Sequence, residues 1–196
     1  MRASSTENPS VKVALRIKSS DKGNSSSSWL TLSADKKELS LKRKQKTYIF
    51  NFDEIFSPEI FQVEIYKRLI WPLMEGVFSG YNTSILAYGQ TGSGKTYTMG
   101  TAKNQIDEKN DNAGILPRAM KDLWEYIYLK NNEKRFVLRV SFFEIYNEEI
   151  LDLLQLKAKK KEKYLIQIFV FMFFIALKKK RSKLEKIQMV KLCFMD

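Results

Sequence analysis

The stretch that decides the fold is Thr83-Ser84-Ile85-Leu86-Ala87-Tyr88-Gly89-Gln90-Thr91-Gly92-Ser93-Gly94-Lys95-Thr96-Tyr97-Thr98-Met99. Gly89 through Thr96 fits G-x-x-x-x-G-K-[ST] in full. A polyphosphate needs converging N–H donors at short range. Glycines at 89, 92 and 94 let a loop wrap close to it, because they lack a Cβ and tolerate positive φ. Gln90, Thr91 and Ser93 complete the loop. A helix start after the loop would add free N–H groups and a favourable dipole. Lys95 is a mobile point charge suited to the β- and γ-phosphates, and Thr96 offers a hydroxyl to Mg²⁺.

The flanks suit this reading. Residues 85–88 form a short uncharged apolar run, as expected of a strand buried on both faces of a parallel sheet. Residues 96–99 continue without a helix breaker. A chance glycine-rich surface loop would not be framed by a strand and a helix.

Upstream, Val11, Val13, Leu15 and Ile17 alternate with Lys12, Ala14 and Arg16, a period-two strand. Residues 29–33 and 38–42 flank Ala34-Asp35-Lys36-Lys37 and predict a hairpin. Residues 48–53 alternate again, with Phe50, Phe52 and Phe56 expected in the core. The spacing of Phe61, Ile65, Leu69, Leu73 and Val77 predicts a helix over residues 62–78, perturbed at Pro72 and ended by Gly80. Residues 101–114 read as a polar surface loop. Leu116, Met120, Leu123, Trp124 and Ile127 predict a second helix, and residues 136–145 a strand.

Composition bounds the chemistry. The chain of 196 residues is long enough for one domain with a core. It has no His and one Cys, which removes His-based triads, intrachain disulfides and Cys-cluster metal sites. The net charge is +12, but residues 157–196 alone carry 12 Lys or Arg against 3 Asp or Glu. The body is nearly balanced, so no specific nucleic-acid contact follows from the charge.

Gly80-Tyr81-Asn82-Thr83 followed by residues 87–99 resembles the P-loop segment of kinesin motor domains. Further phrases resemble the same family in the same order. They are Phe50, Phe52, Asp53 and Phe56; Gly114-Ile115 with Pro117-Arg118; and Ser141-Phe142-Phe143-Glu144-Ile145-Tyr146-Asn147-Glu148. The wording leans toward the chromokinesin-like branch. The resemblance implies an α/β fold of P-loop NTPase type, with a mixed, mainly parallel sheet and helices on both faces. It implies ATP and Mg²⁺ as ligands, hydrolysis coupled to movement on microtubules, and a place in the cytoplasm on the cytoskeleton. It also implies that Tyr97 sits against the adenine. Arg16 and Lys18 stand where kinesins carry an Arg-x-Arg-Pro-like adenine motif, with Lys18 and Ser19 replacing its second Arg and its Pro. An exposed strand face is the alternative reading of Arg16 and Lys18.

The resemblance covers residues 11 to about Leu154 and is expected to stop there, leaving the motor fold incomplete. Residues 1–10 are expected to be disordered. The family's Asn-x-x-Ser-Ser-Arg-Ser-His and Asp-Leu-Ala-Gly-Ser-Glu loops do not occur in the chain, and no catalytic base can be named. Asp111 follows no apolar strand, and Asp152 follows a run too short to be a sheet strand's end. Residues 157–196 stay unassigned: a Lys cluster, the apolar run 164–177, and more Lys. That run is short of the about 20 residues that span a bilayer in a helix. Membrane contact is therefore not favoured against a core element or sequence foreign to the fold. Two other functions stay open: another P-loop class, such as a small-molecule kinase or GTPase, and a fragment that binds nucleotide or a partner without turnover.

Overall fold

Four parallel strands carry the site. They are β1 (Val11–Ile17), β5 (Glu54–Phe56), β6 (Asn82–Tyr88) and β10 (Ile187–Met195), in the order β5-β1-β10-β6. The computed structural model describes residues 11–18, 29–100, 112–133, 136–154, 168–177 and 187–195. The expectations for residues 1–10 and for most of the 101–114 loop lie outside these.

β1 shows why strict alternation is an incomplete guide. Ala14, Leu15 and Ile17 are all buried, because a strand interior to a sheet is covered on both faces. Ala14 faces a cluster with Phe56, Ile65, Leu69, Leu73, Ile115 and Leu123. Leu15 and Ile17 face Leu39 and Ile55, with Leu30, Leu32 and Leu41 packed against them. The second cluster comes from a small antiparallel sheet of β2 (Leu30–Leu32), β3 (Glu38–Arg43) and β4 (Lys46–Asn51). The expected hairpin is its β2–β3 pair, with Leu30 opposite Leu41. Phe56 is fully buried, but the expected core role of Phe50 fails. It lies on β4, whose every residue is exposed, because β4 is an edge strand and, unlike β2 at the other edge, packs no residue against the core.

The helix expected over residues 62–78 forms as three joined pieces. These are α1 (Gln62–Ile65), a π-helical turn (Tyr66–Ile70) and α2 (Trp71–Phe78). Pro72 accounts for the π turn: it lacks an N–H and its ring crowds the carbonyl four residues back, and the wider turn relieves both. The extra residue rotates the buried face. It runs through Gln62, Ile65, Tyr66, Leu69, Ile70, Leu73 and Met74, while Phe61, placed inside by simple helical spacing, is 70% exposed. Arg68 pairs with Glu54 of β5 and lies over the Phe56 ring, tying this turn to the sheet.

β6 corrects a further expectation. It alternates between half-buried and exposed residues, with Ile85 and Ala87 against the core and Leu86 and Tyr88 outward. It lies at the end of the parallel sheet and is covered on one face only. After the glycine loop comes α3 (Lys95–Met99), which Gly100 ends at φ 80°. α4 (Ile115–Lys130) follows, with Ile115 and Leu123 buried and Trp124 outward. Gly100 and Gly114 touch backbone to backbone. A Cβ on Gly114 would stand 2.3 Å from the Gly100 Cα, so neither position admits a side chain.

The third sheet is antiparallel, in the order β8-β7-β9. β7 (Phe136–Tyr146) turns through Asn147 and Glu148, at φ 47° and 65°, into β8 (Glu149–Asp152). Asp152 does therefore end a sheet strand, in a hairpin, where its carboxylate accepts the Leu154 N–H. The chain past Leu154 also enters sheets. Most of the apolar run 164–177 forms β9 (Ile168–Leu177), paired along β7 from Phe136↔Leu177 to Ile145↔Ile168. β10 lies parallel between β1 and β6. Among the described residues no helix is long and apolar enough to cross a membrane.

Candidate nucleotide site

Parallel strands end together, and ligands of open α/β sheets bind at those carboxyl ends. The register aligns three of them. Ile17 pairs with Met195, and Tyr88 with Cys193, so the exits of β1 and β6 flank the exit of β10. Lys18 follows one exit, and Gly89 opens the loop at another.

The loop is held from within. Gly92 and Gly94 take φ 89° and 97°, left-handed values that any Cβ would strain. Nothing stands within 4 Å of where a Cβ would be at either glycine, so space beside the loop is open and only the backbone demands glycine. Ser93 is buried and donates from its hydroxyl to the Gln90 carbonyl at 2.8 Å. The Lys95 ammonium folds back across the loop, donating to the carbonyls of Gly89 at 2.8 Å and Gln90 at 2.6 Å. Lys18 reaches the same loop and donates to the Gly92 carbonyl at 3.2 Å. α3 is only five residues long, so the expected helix dipole is small and the loop and its lysines supply most of the positive field.

The second half of the site gathers around Arg16. On β1 it shares the face of Ala14, toward the helices, which argues against the exposed-strand reading. One guanidinium nitrogen, Nη1, donates to Gln62 Oε1 at 2.8 Å and to Thr98 Oγ1 at 2.6 Å. The guanidinium carbon lies 5.1 Å from the centre of the Tyr97 ring. Burial lowers the Arg16 pKa from its ordinary value, and the Tyr97 hydroxyl acts the other way. Tyr97 donates from its hydroxyl to Asn112 Oδ1 at 3.1 Å.

The structure thus brings together Gly89, Gln90, Thr91, Gly92, Ser93, Gly94, Lys95, Thr96, Tyr97, Arg16 and Lys18. Gln62, Thr98 and Asn112 were missed. A signal existed for Gln62: a polar residue three and four positions before Ile65 and Tyr66 falls on the buried face of its helix. Thr98 and Asn112 carry no such pattern. Sequence reasoning also passes over β10. There a mostly apolar strand enters the parallel sheet between β1 and β6. Among the described residues no cluster of three His, Cys, Asp or Glu could hold a metal alone. A cation here would rest on isolated oxygens and on the ligand's own.

The kinesin motor domain family model matches residues 7–191, well past Leu154. The human chromosome-associated kinesin KIF4A is 49% identical over 105 residues, which cover 54% of this chain and 8% of that protein. The Arabidopsis thaliana kinesin-like protein KIN-5A is 41% identical over 130 residues, covering 64% of this chain and 12% of that protein. The chain therefore spans only a small fraction of these relatives. A crystal structure of the Drosophila kinesin family member NOD in complex with AMPPNP superposes with TM-score 0.62. It is 34% identical and covers 76% of this chain and 50% of that chain. The Drosophila Kin10/NOD structure in complex with divalent manganese and ADP gives TM-score 0.67 over 96% of this chain and 90% of that one. At 21% identity that likeness shows the fold. The family match, the P-loop geometry and the parallel sheet agree: this chain belongs to the kinesin motor domain family.

Proposed function

We propose that the chain binds Mg-ATP and, as part of a longer protein, couples its hydrolysis to movement on microtubules. The observation that carries this is the Lys95 ammonium lying across a loop that two left-handed glycines bend at the carboxyl end of a parallel sheet. The residues fit the ligand. The loop 89–94 has open space beside it, its cations are Lys95 and Lys18, and Thr96 brings a hydroxyl. Gly89 to Thr96 hold the phosphates, with Lys95 exchanging its carbonyl partners for the β- and γ-oxygens. Tyr97 and Arg16 take the base side. Thr96 would offer its hydroxyl to Mg²⁺, which when bound would help neutralise the phosphate charge. Relatives support the ligand and the track: one NOD structure is a complex with AMPPNP, and another was docked with tubulin into a map of NOD bound to the microtubule. The chromosome-associated branch is favoured by the 49% identity to KIF4A. Microtubules then place the protein on the cytoskeleton.

Calorimetry with a non-hydrolysable ATP analogue tests the binding. Lys95→Ala should weaken it at least tenfold, as expected for loss of a charge-assisted contact of about 1.5–3 kcal/mol. Equal affinities would remove the P-loop reading. A second reading, binding without turnover, rests on residues 155–186, which carry no Ser-Ser-Arg-Ser-His phrase to sense a γ-phosphate. Phosphate release with and without microtubules separates the two. Stimulation abolished by Lys95→Ala supports the motor, and background release alone supports the second reading.

A further inference from the structure

Arg16 is a half-buried cation, and among the described residues no carboxylate pairs with it. Burying a charge without a counter-ion is costly unless neutral dipoles replace the lost water. Here two oxygens do so on a single nitrogen: Gln62 Oε1 and Thr98 Oγ1. The two acceptors differ. Thr98 is fixed by α3, directly behind the glycine loop. Gln62 starts α1, is 3% exposed, and uses the other end of its amide as well. Its Nε2 donates to the Tyr97 carbonyl at 2.7 Å and to the Asn112 carbonyl at 3.5 Å. Tyr97 in turn lies against the Arg16 guanidinium and bonds Asn112. One planar amide therefore touches β1 through Arg16, α3 through Tyr97, and the segment entering α4 through Asn112.

We infer that Gln62 is the positioning residue of the base side. It sets the plane of the Arg16 guanidinium against Tyr97 and so tunes affinity for the adenosine part of the nucleotide, not for its phosphates. The amide geometry carries this. A side-chain amide is an acceptor at one end and a donor at the other, with the two ends held in one plane. Its acceptor end stops Arg16 from swinging toward solvent, and its donor end stops the 97–98 backbone from drifting off Arg16. Neither end points at the glycine loop, whose partners are Ser93, Lys95 and Lys18. Tyr97 joins the same three segments through its ring and hydroxyl, and Gln62 adds a second link from α1.

The inference rests on the nucleotide reading above, so its test compares two probes on the 196-residue chain: ADP, which has a base, and inorganic tripolyphosphate, which has none. Gln62→Met keeps the length of the side chain and removes both hydrogen-bonding ends. It should weaken ADP about tenfold and leave tripolyphosphate within about twofold, since one bond to a charged group is at stake. Arg16→Ala should do the same. The double variant should lose no more than Arg16→Ala alone, because Gln62 acts through Arg16. Should Gln62→Met fail to fold by circular dichroism, Thr98→Val, which removes the other acceptor at constant shape, must show the same selective loss of ADP. Equal loss of both probes, additive loss in the double variant, or unchanged ADP affinity overturns the inference. If the wild-type chain binds neither probe, the P-loop reading itself falls. Tripolyphosphate binding that Lys95→Ala abolishes keeps that reading while Gln62 is judged alone.

Discussion

The two halves of the site are built by opposite means. On the phosphate side, six consecutive residues and one lysine make the loop, and most of its internal bonds join residues no more than six apart, as in Lys95 to Gly89. On the base side, Arg16, Gln62, Thr98 and Asn112 are joined by hydrogen bonds that span up to 82 positions. The first kind of site survives as a string of letters, because the chain need only bend locally. The second exists only when strands and helices have already packed. β10 joins them. It lies between β1, which carries Arg16 and Lys18, and β6, which leads into the loop.

That position makes β10 the place to break the comparison. Val190 pairs with Lys12 on one side and Ile85 on the other. Val190→Pro removes an N–H from a central strand, where proline is hardly tolerated, at a cost on the order of 3 kcal/mol or more. The expected result is loss of the cooperative urea transition and of both halves of the site together. A variant with an unchanged midpoint would mean that β10 does not join β1 to β6.

Smaller changes should separate the halves. Gly94→Ala puts a Cβ into open space at φ 97°, so its cost is backbone strain of about 1–2 kcal/mol and no clash. Gly94→Asn, which tolerates the left-handed region, should recover part of that stability in urea melts. No recovery would point to a hidden steric role.

A control outside both halves is Tyr66, which donates a hydrogen bond to the Asp122 carboxylate, joining the π turn to α4. Burial first, and then that carboxylate, push the Tyr66 pKa well above 10.0. Its folded pKa lies above its unfolded one, so its contribution is complete below about pH 10 and shrinks as pH rises beyond that. Tyr66→Phe should lower stability by about 1–2 kcal/mol at pH 7 and flatten the fall of the melting temperature at alkaline pH. An identical alkaline slope in both proteins would clear Tyr66 of any part in it. The weakest effect belongs to Tyr97→Leu. It removes a partly exposed ring from under Arg16, worth about 0.5–1 kcal/mol, so ADP should weaken by about two- to fivefold and tripolyphosphate not at all.

How far the sequence could be read follows from the range of the forces involved. The glycine loop, the β2–β3 hairpin and the interruption at Pro72 are local, and each was legible in a few neighbouring residues. Phe61 and Phe50 were misplaced because burial depends on which face packs and whether a strand is an edge, and spacing carries neither fact. The strand after residue 186 was hidden by its setting. The Lys-rich residues 178–186 before it left residues 157–196 unassigned, while its own mostly apolar residues 187–195 had the form of a sheet strand.

By itself, then, the amino-acid order determined the chemistry of the phosphate loop and the family, since short-range backbone rules and a run of matching phrases are written directly in it. Only the tertiary structure decided that β10 stands between β1 and β6, that Arg16 turns inward, and that Gln62 holds it. Those facts depend on strand order and on contacts between distant segments. The free energy that selects them comes from burying whole faces at once, and no single stretch of sequence contains it.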